Sequence, residues 1–127
     1  MTSRNLFLST GNGAVTNNIV MPAATVLYRV TWGWMYTSKS DADNFIAQIS
    51  TRSTTDAGTT FERPFVVSEI FQTNLTDAAA TARAATGFKF SEDCWFPLSK
   101  GQLLYLDVNN VQGGAGTCSV SAFLLFL

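Results

Sequence analysis

From Thr25 to Tyr36 the chain alternates without a break. Val26, Tyr28, Val30, Trp32, Trp34 and Tyr36 take every second position, and Leu27, Arg29, Thr31, Gly33 and Met35 stand between them. Successive side chains of a strand leave on opposite faces, so a period of two gathers these β-branched and aromatic residues on one side of a sheet. A helix would scatter them around its circumference. The segment is therefore expected as a strand with its aromatic side turned to a core. The stretch from Thr117 behaves in the same way. Cys118, Val120, Ala122, Leu124 and Phe126 point one way, and Ser119, Ser121, Phe123, Leu125 and Leu127 the other. Its last five residues are apolar on both faces, which suits a central strand covered on both sides. Left in water they would invite aggregation, so they are expected to pack within the fold or against another copy.

Shorter strand candidates fill the rest. Arg4–Ser9 and Asn18–Met21 flank the turn Gly11-Asn12-Gly13. Phe45–Arg52, Thr60–Phe71, Phe88–Phe96 and Gln102–Val108 follow, the last introduced by Pro97-Leu98-Ser99-Lys100-Gly101. Pro64 marks an edge or a bulge. The loops at 38–43, 53–59 and 109–116 carry the Gly, Asn, Asp and Ser that turns require. The only helix-compatible stretch, Asp77–Ala85, has no apolar stripe beyond alanine and reads as a single turn or an ordered loop. The expectation is an all-β, jelly-roll-like antiparallel β-sandwich of about seven or eight strands, with at most one short helical turn. Residues 1–127 form a single domain, with 1–9 as a candidate N-terminal arm.

Composition narrows the function classes. Charged residues make up 13% of the chain and hydrophobic ones 46%, with 8 Lys+Arg against 9 Asp+Glu and a net charge of -1. That excludes a basic stripe for nucleic acid and the charge repulsion typical of disorder. No apolar run is long enough to span a bilayer, and the N-terminal Leu6-Phe7-Leu8 is far shorter than a secretory apolar region. The chain is expected to be made in the cytoplasm and to act without membrane or nucleic acid. Histidine is absent, which removes Ser-His-Asp and Cys-His catalysis and most zinc sites. Cys94 and Cys118 read as two small buried apolar residues, with facing each other inside the sheet stack as the alternative. No cofactor is expected. Ser and Thr together form roughly a fifth of the residues, so the exterior is polar but weakly charged, as fits a surface consumed by contacts.

Several residues invite a sharper reading. Asp41 and Asp43, or Glu92-Asp93, could serve as paired acids, and Asp41 with Asp43 as a calcium loop, but an EF-hand's Gly and distal Glu are missing. Solvated turn residues are the better explanation. Glu62-Arg63 reads as a surface ion pair. Gly11-Asn12-Gly13 and Gly113-Gly114-Ala115-Gly116 would cradle phosphate only ahead of a helix, and none follows. The aromatic row Tyr28, Trp32, Trp34 and Tyr36 would stack sugar rings or bases if it were exposed, or line a subunit interface. A core face is the ordinary explanation.

Phe96-Pro97-Leu98-Ser99-Lys100-Gly101-Gln102-Leu103-Leu104-Tyr105-Leu106 and Ser119-Val120-Ser121-Ala122-Phe123-Leu124-Leu125-Phe126 resemble the last strands of small C1q/TNF-like jelly-roll modules. Gln102 stands where many of those carry Asp. Small jelly rolls of similar length and texture also serve as decoration (cement) proteins and head fibres of tailed-phage capsids. The resemblance implies a homotrimer with its terminal strand near the threefold axis, bound to the major capsid protein on the virion exterior and stabilising the shell without catalysis. Phe123, Leu125 and Leu127 would form the trimer contact. Thr2, Arg4, Leu6 and Leu8 would reach the shell from the arm. The rival is a carbohydrate- or receptor-binding module, such as a fibre tip or lectin, using Trp32, Trp34 and Tyr36. A small hydrolase built on Asp41, Asp43 or Glu92 is the third reading.

Overall fold

The alternation is realised as eight strands: β1 (Thr2–Thr10), β2 (Gly13–Val20), β3 (Thr25–Thr37), β4 (Asn44–Arg52), β5 (Phe65–Gln72), β6 (Thr86–Leu98), β7 (Leu103–Val111) and β8 (Thr117–Phe126). The structure, a computed structural model, describes residues 1–10, 13–37, 44–52, 65–72, 86–111 and 117–127. Among these there is no helix. The Asp77–Ala85 turn, the Glu62-Arg63 pair, Asp41, Asp43 and the 113–116 glycine loop lie outside the described residues.

Two four-stranded antiparallel sheets form, ordered β1-β8-β3-β6 and β2-β7-β4-β5. The first half of the chain pairs with the second in reverse: β1 with β8, β2 with β7, β3 with β6 and β4 with β5. This is the jelly roll, one long hairpin rolled so that alternate pairs fall in opposite layers.

The inward-facing residues of both sheets meet in one core. Leu27, Val30, Trp32, Val120 and Leu124 from the β8 sheet face Ile49, Leu104, Leu106 and Val108 from the β7 sheet, all of them fully buried. Trp32 cannot be buried without a partner for its indole N–H. It donates to Ser68 Oγ on β5 at 2.7 Å, across the two layers. At one end of the sandwich two connections are laced together. Met21 N donates to Gln102 O at 2.9 Å, and Gly101 N to Met21 O at 2.7 Å. The Ser99–Gln102 turn closes with Gln102 N donating to Ser99 O at 3.1 Å. Gly101 holds φ 84° there, the left-handed conformation that the third position of a type II turn demands. The Gln102 side chain fixes this turn, accepting from Ser99 N at 3.0 Å and donating to Thr51 Oγ1 at 2.9 Å.

Four expectations are corrected. Residues 1–9 are no free arm: β1 pairs with β8 from Thr2↔Phe126 to Thr10↔Cys118. Leu6 is a core residue at 3% exposure and Leu8 packs against the core, because β8 needs a neighbour on that edge and β1 alternates in phase with it. The β3 alternation also slips. Leu27 faces Phe126 and Arg29 faces Leu125, so Tyr28 is an extra residue against β8. On the other side Leu27 faces Phe96 and Arg29 faces Asp93, so Cys94 and Trp95 together oppose Tyr28. This double bulge turns Leu27 into the core in place of Val26 and Tyr28. Cys94 and Cys118 do not face each other. Cys118 pairs beside Tyr36 and Cys94 lies beside Tyr28, about 25 Å apart along β3 at roughly 3.3 Å per residue. Finally, β8 is central but covered on its inner face alone, since Phe123 and Leu127 are 44% and 53% exposed.

Candidate interaction surface

Register makes the outer face of the β8 sheet a grid. One row runs Ser3, Leu125, Arg29, Asp93; the next Asn5, Phe123, Thr31, Ser91; a third begins Phe7, Ser121, Gly33. Phe7 and Phe123 are diagonal neighbours across β1 and β8, within reach of each other. The polar positions spend their hydrogen bonds on one another. Ser121 Oγ donates to Asn5 Oδ1 at 2.8 Å, the Thr31 and Ser91 hydroxyls meet at 2.9 Å, and those of Ser9 and Ser119 at 3.1 Å. Gly33 adds no side chain, leaving a shallow recess of about 570 Å³ walled by Phe123, Asn5, Thr31 and Ser91. The surface is apolar at the C-terminal end of β8, hydroxyl-rich around it, and already ordered.

At the laced end of the sandwich a second depression of about 440 Å³ is lined mainly by apolar groups, among them Met21, Pro22, Phe126 and Leu127, with Thr2 and Arg4 at its side. Arg4 has no ion-pair or hydrogen-bond partner among the described residues. Thr25 Oγ1 donates to Leu127 O at 2.6 Å and Leu127 N to Val26 O at 3.0 Å, which anchors the terminal strand.

The double bulge carries a third cluster. Trp95 has φ 51°, the left-handed region that bulky residues avoid, and is 57% exposed. Its ring meets Tyr28 edge-on, centroids 4.7 Å apart at 64°. Arg29 lies over the Tyr28 ring with Cζ 5.0 Å from its centroid. Its Nε donates to Asp93 Oδ1 at 2.7 Å and its Nη2 to Tyr28 Oη at 3.1 Å. The Asp93 hydrogen bond and charge raise the Arg29 pKa above its ordinary value. Behind this cluster Cys94 Sγ donates to Glu92 O at 3.6 Å. Desolvation, with Glu92 beside it, pushes the Cys94 thiol up to about 11. Desolvation pushes Cys118 to about 12. Both are protonated at neutral pH and poor nucleophiles.

Among the described residues no group of three or more His, Cys, Asp or Glu is placed to hold a metal ion, and no helix is long and apolar enough to cross a membrane. Phe123 and Leu127 stand exposed on or beside the outer face, with Leu125 half-buried between them. Thr2 and Arg4 come together at the 440 Å³ depression, whereas Leu6 and Leu8 turn inward. Trp32 and Trp34 are at 0% and 6% exposure. They form the core face of β3, so no sugar ring can stack on them; the Tyr36 side chain lies outside the described residues. Sequence reasoning overlooked Trp95. The signal was present, since Cys94-Trp95-Phe96 interrupts alternation just where β6 bulges.

No family model matches the chain, and neither does any curated protein. Among solved structures it is similar to a selenomethionine-labelled α-amino acid ester hydrolase, with a TM-score of 0.55 and 6% identity over 90% of this chain and 25% of that one. It also aligns with the K3 cleaved adhesin domain of Lys-gingipain from Porphyromonas gingivalis w83, with a TM-score of 0.42 and 11% identity over 95% of this chain and 62% of that one. Against the infectious bursal disease virus Gx strain structure the TM-score is 0.37 and the identity 11%, over 98% of this chain and 36% of that one. The chain thus spans less than two thirds of each of these proteins. The hydrolase likeness shows a shared β-sandwich fold and nothing about activity.

Proposed function

We propose that the chain is a non-enzymatic structural module of a phage virion, a capsid decoration protein that associates as a homotrimer through the outer face of the β8 sheet and docks on the major capsid protein. The observation that carries this reading is the exposed apolar row on a central strand: Phe123 and Leu127 open to water, Leu125 between them, and Phe7 55% exposed alongside. An apolar centre with a neutral polar rim is the composition of a protein interface, and a fixed rim loses little side-chain entropy when a partner arrives. The C1q/TNF-like texture of the last strands supports three copies, each presenting β8 to the others. Thr2 and Arg4, at the end of the sandwich, are the shell-contact residues of this reading. Several symmetry-related contacts would then add through effective concentration.

Light scattering of the purified protein tests the first half. The expected mass is three chains, falling to one in Phe123→Asp while the melting temperature of the fold holds, because that side chain contributes nothing to the core. A wild-type monomer overturns the trimer. Virions assembled with and without the chain test the second half. Complete particles are expected to withstand higher temperature and osmotic shock, and equal resilience overturns the stabilising role.

A further inference from the structure

We infer that the double bulge where β6 meets β3 is a saccharide-binding platform, with Trp95 as its stacking surface and Arg29–Asp93 as its polar arm. The inference does not rest on the decoration reading and uses none of Phe7, Phe123, Leu125 and Leu127, although Arg29 and Asp93 lie on the same outer face, in the row of Leu125.

Three observations converge on this site. Trp95 is the one tryptophan of the chain's three in contact with water. It is held there by a backbone conformation that costs an L-residue energy, φ 51°, inside a bulge that re-aims its side chain. Strain of this kind persists where its surroundings enforce it, and it gathers at ligand-binding positions. The ring is also fixed in place, since Tyr28 packs against it edge-on at 4.7 Å and Tyr28 is itself covered by Arg29. A rigid aromatic surface loses little entropy when a flat ligand settles on it.

The polar groups beside it define the ligand class. Arg29 spends Nε on Asp93 and Nη2 on Tyr28 Oη, which leaves other guanidinium protons free to donate. Asp93 uses Oδ1 toward Arg29 and keeps further acceptor capacity on a side chain that is 48% exposed. A fixed donor beside a fixed acceptor matches two adjacent hydroxyls, one accepting from Arg29 and the other donating to Asp93. Because the ion pair is neutral overall, it gives no advantage to an acidic sugar. The ligand that fits is a neutral pyranose with an apolar ring face over Trp95 and a vicinal diol at the Arg29–Asp93 edge.

The test is a neutral-and-sialylated glycan array, followed by titration of maltotriose, cellotriose, chitotriose and sialyllactose. Because Trp32 and Trp34 are buried, acrylamide quenching reports on Trp95 alone. A neutral saccharide is expected to bind saturably and to shield Trp95 from acrylamide. Trp95→Ala is expected to weaken binding roughly tenfold or more, as loss of one stacked aromatic does, with Trp95→Phe recovering much of it. Asp93→Ala should weaken binding while the melting temperature holds. Phe123→Asp should leave binding intact, so failure of the trimer and failure of this site are told apart. No saturable binding of any neutral glycan, or binding unchanged in Trp95→Ala, overturns the proposal. So does a preference for sialyllactose. Acrylamide shielding that appears on self-association without sugar, and disappears in Phe123→Asp, would make Trp95 an interface residue and overturns it as well.

Discussion

Trp32 and Ser68 show how one hydrogen bond fixes two sheets against each other. Both are buried, and the 2.7 Å bond is what satisfies the indole. Ser68→Ala leaves that N–H unpaired and is expected to cost about 1–3 kcal/mol in urea unfolding. Adding Trp32→Phe to Ser68→Ala should cost less than the two single changes summed, since the second change no longer breaks a bond. The thiols make a different prediction. Burial raises Cys94 and Cys118 from an ordinary 9.0 to about 11 and about 12. Below pH 9 both native and unfolded chains keep these protons, so nothing is gained or lost there. As pH rises from 9.0 toward those values the unfolded chain ionises first and stability falls. Thermal melts should therefore steepen their decline above pH 9, and Cys118→Ala should flatten that slope.

At the scale of the element, β1 carries the clearest consequence. It closes the edge of β8 over its whole length, and Leu6 is 3% exposed beneath it. Leu6→Ala is expected to cost about 2–5 kcal/mol, as a buried leucine does, whereas Arg4→Ala should stay within about 0.5 kcal/mol. Deleting residues 1–9 should lower the melting temperature sharply. A truncated chain that melts like the full one would restore the free arm. Most elements were legible in the sequence. Alternation placed β3 and β8 to within a residue, and the turn at Pro97–Gly101 placed the start of β7; β2, expected over Asn18–Met21, instead begins at Gly13 and ends at Val20. The double bulge was not legible, because a slip of register depends on which strands lie on either side. Trp95 shows this: Cys94-Trp95-Phe96 marks an interrupted alternation within β6, but only the pairing opposite Tyr28 decides that its side chain stands in water.

For the whole molecule, topology sets the folding speed. The first described pairing joins Thr2 to Phe126, and each strand of the first half waits for one in the second. Such non-local pairing is slow because loop closure must be paid before contacts form. Refolding is expected over milliseconds to seconds in stopped-flow fluorescence, which the buried Trp32 reports, and a microsecond phase carrying the full amplitude would contradict it. The candidate surface also exists only at this scale. Phe7 and Phe123 are distant in the chain, and register alone makes them neighbours.

The amino-acid order by itself determined that the fold is of the all-β class, that Trp32 and Trp34 are able to fill a core, and that histidine chemistry is excluded, because periodicity and composition are properties of the chain alone. Tertiary structure decided the rest. Which face of β8 stays open, that the first residues are a strand instead of an arm, and that Trp95 stands in water all depend on neighbours brought from the far end of the chain, and no local pattern encodes which neighbour arrives.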